Sequence, residues 1–173
     1  MKTLILGGVR SGKSRLAESL AVKSNFPVSY IATATAKDAE MQRRIERHRL
    51  DRPESWRLIE EPINLAKVLR EQAGAEKCIL VDCLTLWLTN LLTSEDQNVF
   101  KREREAFLLT LPTLSGQIIM VSNESNMGVT PMGELSRRYC DEAGRLHQDL
   151  AQRCARVVLT VAGLPHILKG DDL

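Results

Sequence analysis

The sequence predicts a doubly wound α/β fold, a sheet of mostly parallel strands with helices on both faces. Short β-rich runs alternate with longer helical patterns along the whole chain of 173 residues. Several of these runs are apolar throughout, which suits parallel strands covered on both sides rather than strands with one wet face. No repeat or low-complexity stretch interrupts the alternation. Residues 1–173 therefore read as one domain, long enough to bury a substantial core.

Taken in order, strands are expected at Thr3–Leu6, Val28–Thr33, Trp56–Ile59, Cys78–Val81, Gln117–Ser122 and Arg156–Val161. A helix is expected from Thr35, where Thr35 and Asp38 resemble a capping box. Pro62 is expected to open another as a first-turn proline, with Gly74 closing it. The longest helical pattern runs from about Met132 to Cys154. There Leu135, Tyr139, Ala143, Leu146, Leu150 and Cys154 recur every three or four residues, the spacing of one buried face. In sheets of this kind ligands sit beyond the carboxyl ends of the strands.

Composition narrows the function. Against 22 acidic residues stand 24 basic ones, a net charge of +2. No field of one sign favours nucleic acid or an anionic membrane. Seven aromatics are too few for the stacking platforms of single-strand binders. Cys78, Cys83, Cys140 and Cys154 form no CxxC pair and no zinc spacing, so they are expected as buried thiols in a reducing compartment. The first apolar run, Leu4-Ile5-Leu6, is halted at once by Gly7-Gly8, and no later one approaches spanning length. A cytoplasmic enzyme with no stable membrane insertion and no nucleic-acid partner is the expectation.

The first predicted strand ends at Leu6 and is followed by Gly7-Gly8-Val9-Arg10-Ser11-Gly12-Lys13-Ser14, then by the helical Arg15-Leu16-Ala17-Glu18-Ser19-Leu20. This is G-x-x-x-x-G-K-S in the strand–loop–helix context that a phosphate-binding loop requires. Glycines let successive amides turn inward into an anion nest at a helix N-terminus. Lys13 is placed to reach β- and γ-phosphates, and the Ser14 hydroxyl to ligate Mg²⁺. The sheet is thus expected to be P-loop NTPase-like, with ATP or GTP in the loop.

A nucleotide site of this type also needs an acidic residue ending an apolar strand, and Cys78-Ile79-Leu80-Val81-Asp82 supplies it. Asp82 read alone is an ordinary helix cap; paired with the loop it becomes a metal ligand, direct or through water. Further along, Met41, Ile45 and His48 share one helical face within a run containing Arg43, Arg44, Arg47, Arg49 and Arg52. Periodicity alone makes His48 a neighbour of the core and the arginines a solvated face. The chemical alternative is a histidine nucleophile, whose neutral form the arginines favour and whose phosphate target they neutralise.

Together these segments resemble one family over essentially the whole chain, the bifunctional adenosylcobinamide kinase/adenosylcobinamide-phosphate guanylyltransferases of cobalamin biosynthesis. The resemblance covers the Gly7–Ser14 loop, Tyr30-Ile31-Ala32-Thr33, Arg44-Ile45-Glu46-Arg47-His48-Arg49 with Arg52-Pro53 and Trp56, and Leu80-Val81-Asp82-Cys83-Leu84-Thr85. It continues through Thr89-Asn90-Leu91-Leu92, Val121-Ser122-Asn123-Glu124, Met127-Gly128, Asp141, Ala143-Gly144-Arg145 and Ala162-Gly163-Leu164-Pro165. The loop is common to many families; the histidine segment and the Val-Ser-Asn-Glu run are far more specific. The resemblance implies that ATP or GTP phosphorylates the terminal hydroxyl of adenosylcobinamide. It then implies that GTP guanylylates a histidine, aligned with His48, which passes GMP to the corrinoid phosphate. It assigns nucleotide contacts to the loop, to Ile31, Ala32 and Thr33, to Arg49, Leu50, Asp51 and Arg52, to Glu60 and to Asp82. Glu60 alone reads equally well as a helix-entry charge before Pro62. The resemblance also implies a homotrimer and a short terminal strand near His166-Ile167-Leu168.

Two departures from the family pattern stand out. Ser125-Asn126 stand where many relatives have valine-glycine, and His147 stands where relatives often carry asparagine. His147 lies beside the apolar face of the longest predicted helix and reads as structural. Competing readings are a generic small-molecule kinase, a GTPase-like switch and a nucleic-acid ATPase. The switch is disfavoured because Ser122-Asn123-Glu124-Ser125 is no N-K-x-D guanine signature, and the ATPase by size, charge and lack of aromatics.

Overall fold

The computed structural model describes residues 1–35, 53–125, 127–128, 130–171 and 173. Seven strands form one sheet: β1 (Lys2–Gly7), β2 (Val28–Ala32), β3 (Arg57–Glu60), β4 (Cys78–Asp82), β5 (Gln117–Asn123), β6 (Arg156–Val161) and β7 (Leu164–Lys169). Their order is β3-β2-β4-β5-β1-β6-β7. The first six run parallel, and β7 returns antiparallel on β6. The described helices are α1 (Lys13–Lys23), α2 (Leu65–Gln72), α3 (Leu84–Leu92), α4 (Val99–Thr110) and α5 (Glu134–Arg153). The doubly wound, mostly parallel sheet expected from the sequence is present, as is the terminal strand.

Crossover handedness explains which face each helix takes. Parallel connections are right-handed, so reversing the direction of travel across the sheet moves the helix to the other face. The step from β1 to β2 runs toward the β3 edge, and α1 packs Ala17, Leu20 and Ala21 against Ile5, Val28, Tyr30, Leu80, Ile119 and Val121. From β3 onward the chain steps the other way to β4, β5 and β6. Residues from α2, α3, α4 and α5 accordingly share the opposite core with Leu4, Ile31, Ile79, Val81, Ile118 and Met120. Trp87 and Phe107 meet edge to face there, with ring centroids 5.1 Å apart. Each such fully buried side chain contributes about 1.5–3 kcal/mol relative to exposure.

Several local expectations shift. β3 lies one residue later than expected, and Thr33 follows β2 rather than ending it. Pro62 does not open a helix: α2 begins at Leu65, and the Glu61 carboxylate instead accepts hydrogen bonds from the Ile63 and Asn64 amides. Side-chain capping of these amides delays the helical turn. In α5 the buried face runs through Ala143, Leu146 and Leu150, but Leu135 in the first turn is 52% exposed. Cys78 and Cys154 are buried, Cys83 and Cys140 are partly exposed, and all four are free thiols. The capping box at Thr35 and Asp38 lies partly outside the described residues. None of the described helices is long and apolar enough to cross a membrane.

Candidate nucleotide site

The phosphate loop is tied down at both ends. Gly7 ends β1 with φ +153°, and a Cβ there would sit 2.4 Å from the Thr160 carbonyl oxygen and 2.6 Å from Ser11 Oγ. Only glycine fits so close an approach. Gly12 caps α1 in the left-handed region at φ +98°, which turns the chain so that the first amides of α1 face the loop. The Gly163 amide, in the β6–β7 turn, donates to the Ser11 carbonyl at 2.9 Å and braces the loop from outside. Val9 at the tip is 72% exposed, and a Cβ on Gly8 would meet nothing. The mouth is open.

Lys13 is buried and folds its ammonium back into the loop, donating to the Gly8 carbonyl at 2.5 Å and to Ser11 Oγ at 3.4 Å. Burial pulls its pKa below the usual lysine value, and the nearby Cys83 and Asp82 oppose the shift. A polyphosphate would supply the missing counter-charge. Ser14 Oγ lies 3.4 Å from Asp82 Oδ2, and the Tyr30 hydroxyl donates to that same oxygen at 2.7 Å. Asp82 ends β4 before a cis peptide to Cys83. Its neighbour Thr33 is fully buried, accepting from the Cys83 amide at 2.9 Å and donating to the Cys83 carbonyl at 2.7 Å. Asn90 in α3 donates to the Thr33 and Pro62 carbonyls and holds this turn in place.

Sheet order decides which expected residues stand near the phosphates. Gly7 is paired across from Asn123, and Asp82 from Val121, so the loop and Asp82 flank the end of β5. Ala32 is paired with Asp82, and Glu60 with Ala32. Glu60 stands on the edge strand, four places from β1, about 19 Å at the usual strand spacing of about 4.8 Å. The structure brings Gly7–Ser14 and Asp82 together, puts Ile31–Thr33 one strand beyond, and leaves Glu60 at the far end of the same row. Ile31 is fully buried in the core, so only its backbone faces the row. His48, Arg49, Leu50, Asp51 and Arg52 lie outside the described residues.

The oxygens of Ser14 and Asp82 are the hard donors that suit Mg²⁺. Among the described residues no cluster of three or more His, Cys, Asp or Glu residues is arranged to hold a metal. Thiol chemistry is remote: burial, then the charge of Asp82, pushes the Cys83 thiol up to about 11.

Sequence reasoning missed Tyr30 as the partner of Asp82 and Asn90 as the brace of Thr33. It also read His147 as structural, and burial agrees. Yet His147 Nε2 lies 2.8 Å from Ser122 Oγ, and its Nδ1 lies 3.4 Å from Glu124 Oε2. The signal available was periodicity: Ser122 in β5 and Glu124, just past its end, are two residues apart, the spacing of one strand face.

Residues 3–168 match the family model for cobinamide kinase / cobinamide phosphate guanyltransferase. The bifunctional adenosylcobalamin biosynthesis protein CobP of Pseudomonas aeruginosa is 62% identical over 173 residues, covering all of both chains. The bifunctional adenosylcobalamin biosynthesis protein CobU of Escherichia coli is 34% identical, covering 95% of this chain and 97% of its own. Among solved structures, the RadB recombinase superposes with a TM-score of 0.51 at 18% identity, over 91% of this chain and 73% of its own. A Pyrococcus horikoshii OT3 protein does so with 0.55 at 11% identity, over 99% and 87%. These two likenesses concern the fold alone. By sequence, sheet and phosphate loop, the chain belongs to the cobinamide kinase / cobinamide phosphate guanyltransferase family and is an enzyme of that bifunctional kind.

Proposed function

We propose that this chain phosphorylates the terminal hydroxyl of adenosylcobinamide with ATP or GTP and then transfers GMP from GTP to the corrinoid phosphate through guanylylated His48. The observation that carries the reading is the Gly7–Ser14 loop closed against Asp82, with Lys13 inside it and Ser14 Oγ 3.4 Å from the carboxylate. In the kinase step the loop amides and Lys13 hold the β- and γ-phosphates, and the hydroxyl attacks the γ-phosphorus in line. Ser14 and Asp82 would hold Mg²⁺, which neutralises charge on the phosphates. In the transfer step the neutral imidazole of His48 attacks the α-phosphorus and pyrophosphate departs.

Supporting this division is the length of the row from the loop to Glu60. It leaves room for a nucleotide's phosphates at one end and its nucleoside toward Ile31, Ala32, Thr33 and Glu60. Arg49, Leu50, Asp51 and Arg52 complete the proposed nucleotide contacts. Assembly as a homotrimer belongs to the same proposal: Val161, Leu164 and Leu168 leave exposed apolar surface on the edge hairpin, which association would cover.

Intact-mass spectrometry after incubation with GTP tests the reading. A single GMP adduct, labile in acid and stable in base, is expected. An unchanged protein mass together with corrinoid phosphorylation would leave a kinase alone.

A further inference from the structure

We propose that the cavity between α3 and the first turns of α5 is the acceptor pocket, holding one apolar edge of the corrin macrocycle while its hydroxyl-ended arm reaches the phosphate loop; this rests on the function proposed above. The cavity has a volume of about 350 Å³. Leu92 of α3, Pro131, and Leu135 and Tyr139 of α5 give it apolar walls. Thr89, Ser125 and Ser136 add hydroxyls, and among the described residues no charged side chain lines it.

Its walls are continuous with the nucleotide site. Ser125 is two residues past Asn123, which pairs across from Gly7 at the root of the phosphate loop. The intervening Glu124 amide donates to the Gly7 carbonyl at 2.9 Å. On the α3 side, Thr85 follows Asp82 by three residues, and its Oγ1 accepts from the Asn123 amide at 2.7 Å. Burial pushes the Tyr139 phenol above its ordinary value, and Thr85 and Ser125 beside it oppose the shift. Tyr139 thus joins the α5 wall to the same strand end. The helix that carries Lys13 and Ser14 packs on one face of the sheet, while α3 and α5 pack on the other. Donor and acceptor therefore meet at the strand ends from opposite faces.

The lining selects the occupant. Without a cation it cannot neutralise phosphate, so it is no second nucleotide site. Apolar walls with a few placed polar groups are the usual chemistry of a small-molecule pocket. A corrin macrocycle is studded with methyl groups and carries primary amide arms; the methyls suit the walls and the amides suit the hydroxyls. The surrounding surface has the same character. Met127, Met132 and Leu135 are 75%, 95% and 52% exposed, three large apolar side chains in one short stretch of chain. Clustered apolar exposure of this kind marks a binding surface, and methionine adapts to an irregular outline. The macrocycle is larger than the cavity, so one edge enters while the rest lies against this surface.

Calorimetry with adenosylcobinamide, together with steady-state phosphorylation in which corrinoid and ATP are varied in turn, tests the assignment on the full chain. Ser136→Phe fills the cavity from an exposed position on α5. It should weaken adenosylcobinamide binding and raise its KM by at least about tenfold, the low end of what pocket shape discriminates, with the KM for ATP within twofold of the parent. Ser136→Ala leaves the space open and should bind the corrinoid within threefold of the parent. Unchanged corrinoid affinity in Ser136→Phe overturns the proposal, and if self-association is lost instead, the cavity is an interface between copies of this chain. A KM for ATP that rises in step with that for the corrinoid also overturns it, since the cavity would then only support the loop. If Ser136→Phe fails to fold, Leu135→Glu replaces it, with the same expected and overturning results. A parent that binds adenosylcobinamide without phosphorylating it overturns the kinase reading alone, and the binding comparison still decides the pocket.

Discussion

Tyr30 and Asp82, at the ends of neighbouring parallel strands, are joined by a 2.7 Å hydrogen bond from the phenol to Oδ2, the oxygen that Ser14 Oγ also approaches. Tyr30 is 4% exposed and its ring stacks on Trp56, centroids 6.4 Å apart. The phenol therefore fixes the orientation of the carboxylate that would hold Mg²⁺. Tyr30→Phe should raise the magnesium concentration for half-maximal activity by about tenfold, the low end of what a lost outer partner of a metal ligand costs. Activity titrated against magnesium checks it; an unaltered titration means Asp82 holds no metal through that oxygen.

Lys13 has no carboxylate partner in the described structure and spends its donors on Gly8 and Ser11. Its charge is thus available to phosphate. Lys13→Ala should reduce nucleotide affinity at least a hundredfold and abolish phosphorylation, since it removes the strongest charge-assisted hydrogen bonds in the site. Calorimetry with ATP and GTP measures this, and unchanged affinity would refute the loop assignment.

How much of this was legible in the sequence follows from the range of the interactions. The loop was legible because its chemistry is local: Gly7, Gly12, Lys13 and Ser14 act within eight residues of one turn. Strand and helix positions were legible because burial writes a period into the chain, as in Ala143, Leu146 and Leu150. The helix start at Pro62 was misread because Glu61 captures the Ile63 and Asn64 amides, a competing turn that hydrophobic pattern does not register. Tyr30–Asp82 and Glu124–His147 join residues far apart in the chain, and only strand order brings them together. Glu60 shows the same limit: the sequence puts it at a strand end but does not say that the strand is an edge.

His147 makes folding sensitive to mild acid. Burial lowers its pKa below the ordinary 6.5, with Glu124 opposing the shift. The unfolded chain therefore binds a proton at this site at a higher pH than the folded one. Stability from this group is full above pH 6.5 and is lost as pH falls through and below that value. His147→Asn should flatten the pH dependence of the melting temperature between pH 7 and pH 5 relative to the parent. Parallel thermal melts across that range test this, and identical slopes would contradict it.

His48 carries the central claim, and one measurement addresses it most directly. Intact-mass spectrometry of the His48→Asn protein after incubation with GTP should show no GMP adduct, while phosphorylation of adenosylcobinamide continues in the same preparation. Transfer of a γ-phosphate to a hydroxyl needs alignment and charge neutralisation, which Lys13, Ser14 and Asp82 still provide. Loss of the adduct with retained phosphorylation is the predicted result. A His48→Asn protein that still acquires GMP would contradict it.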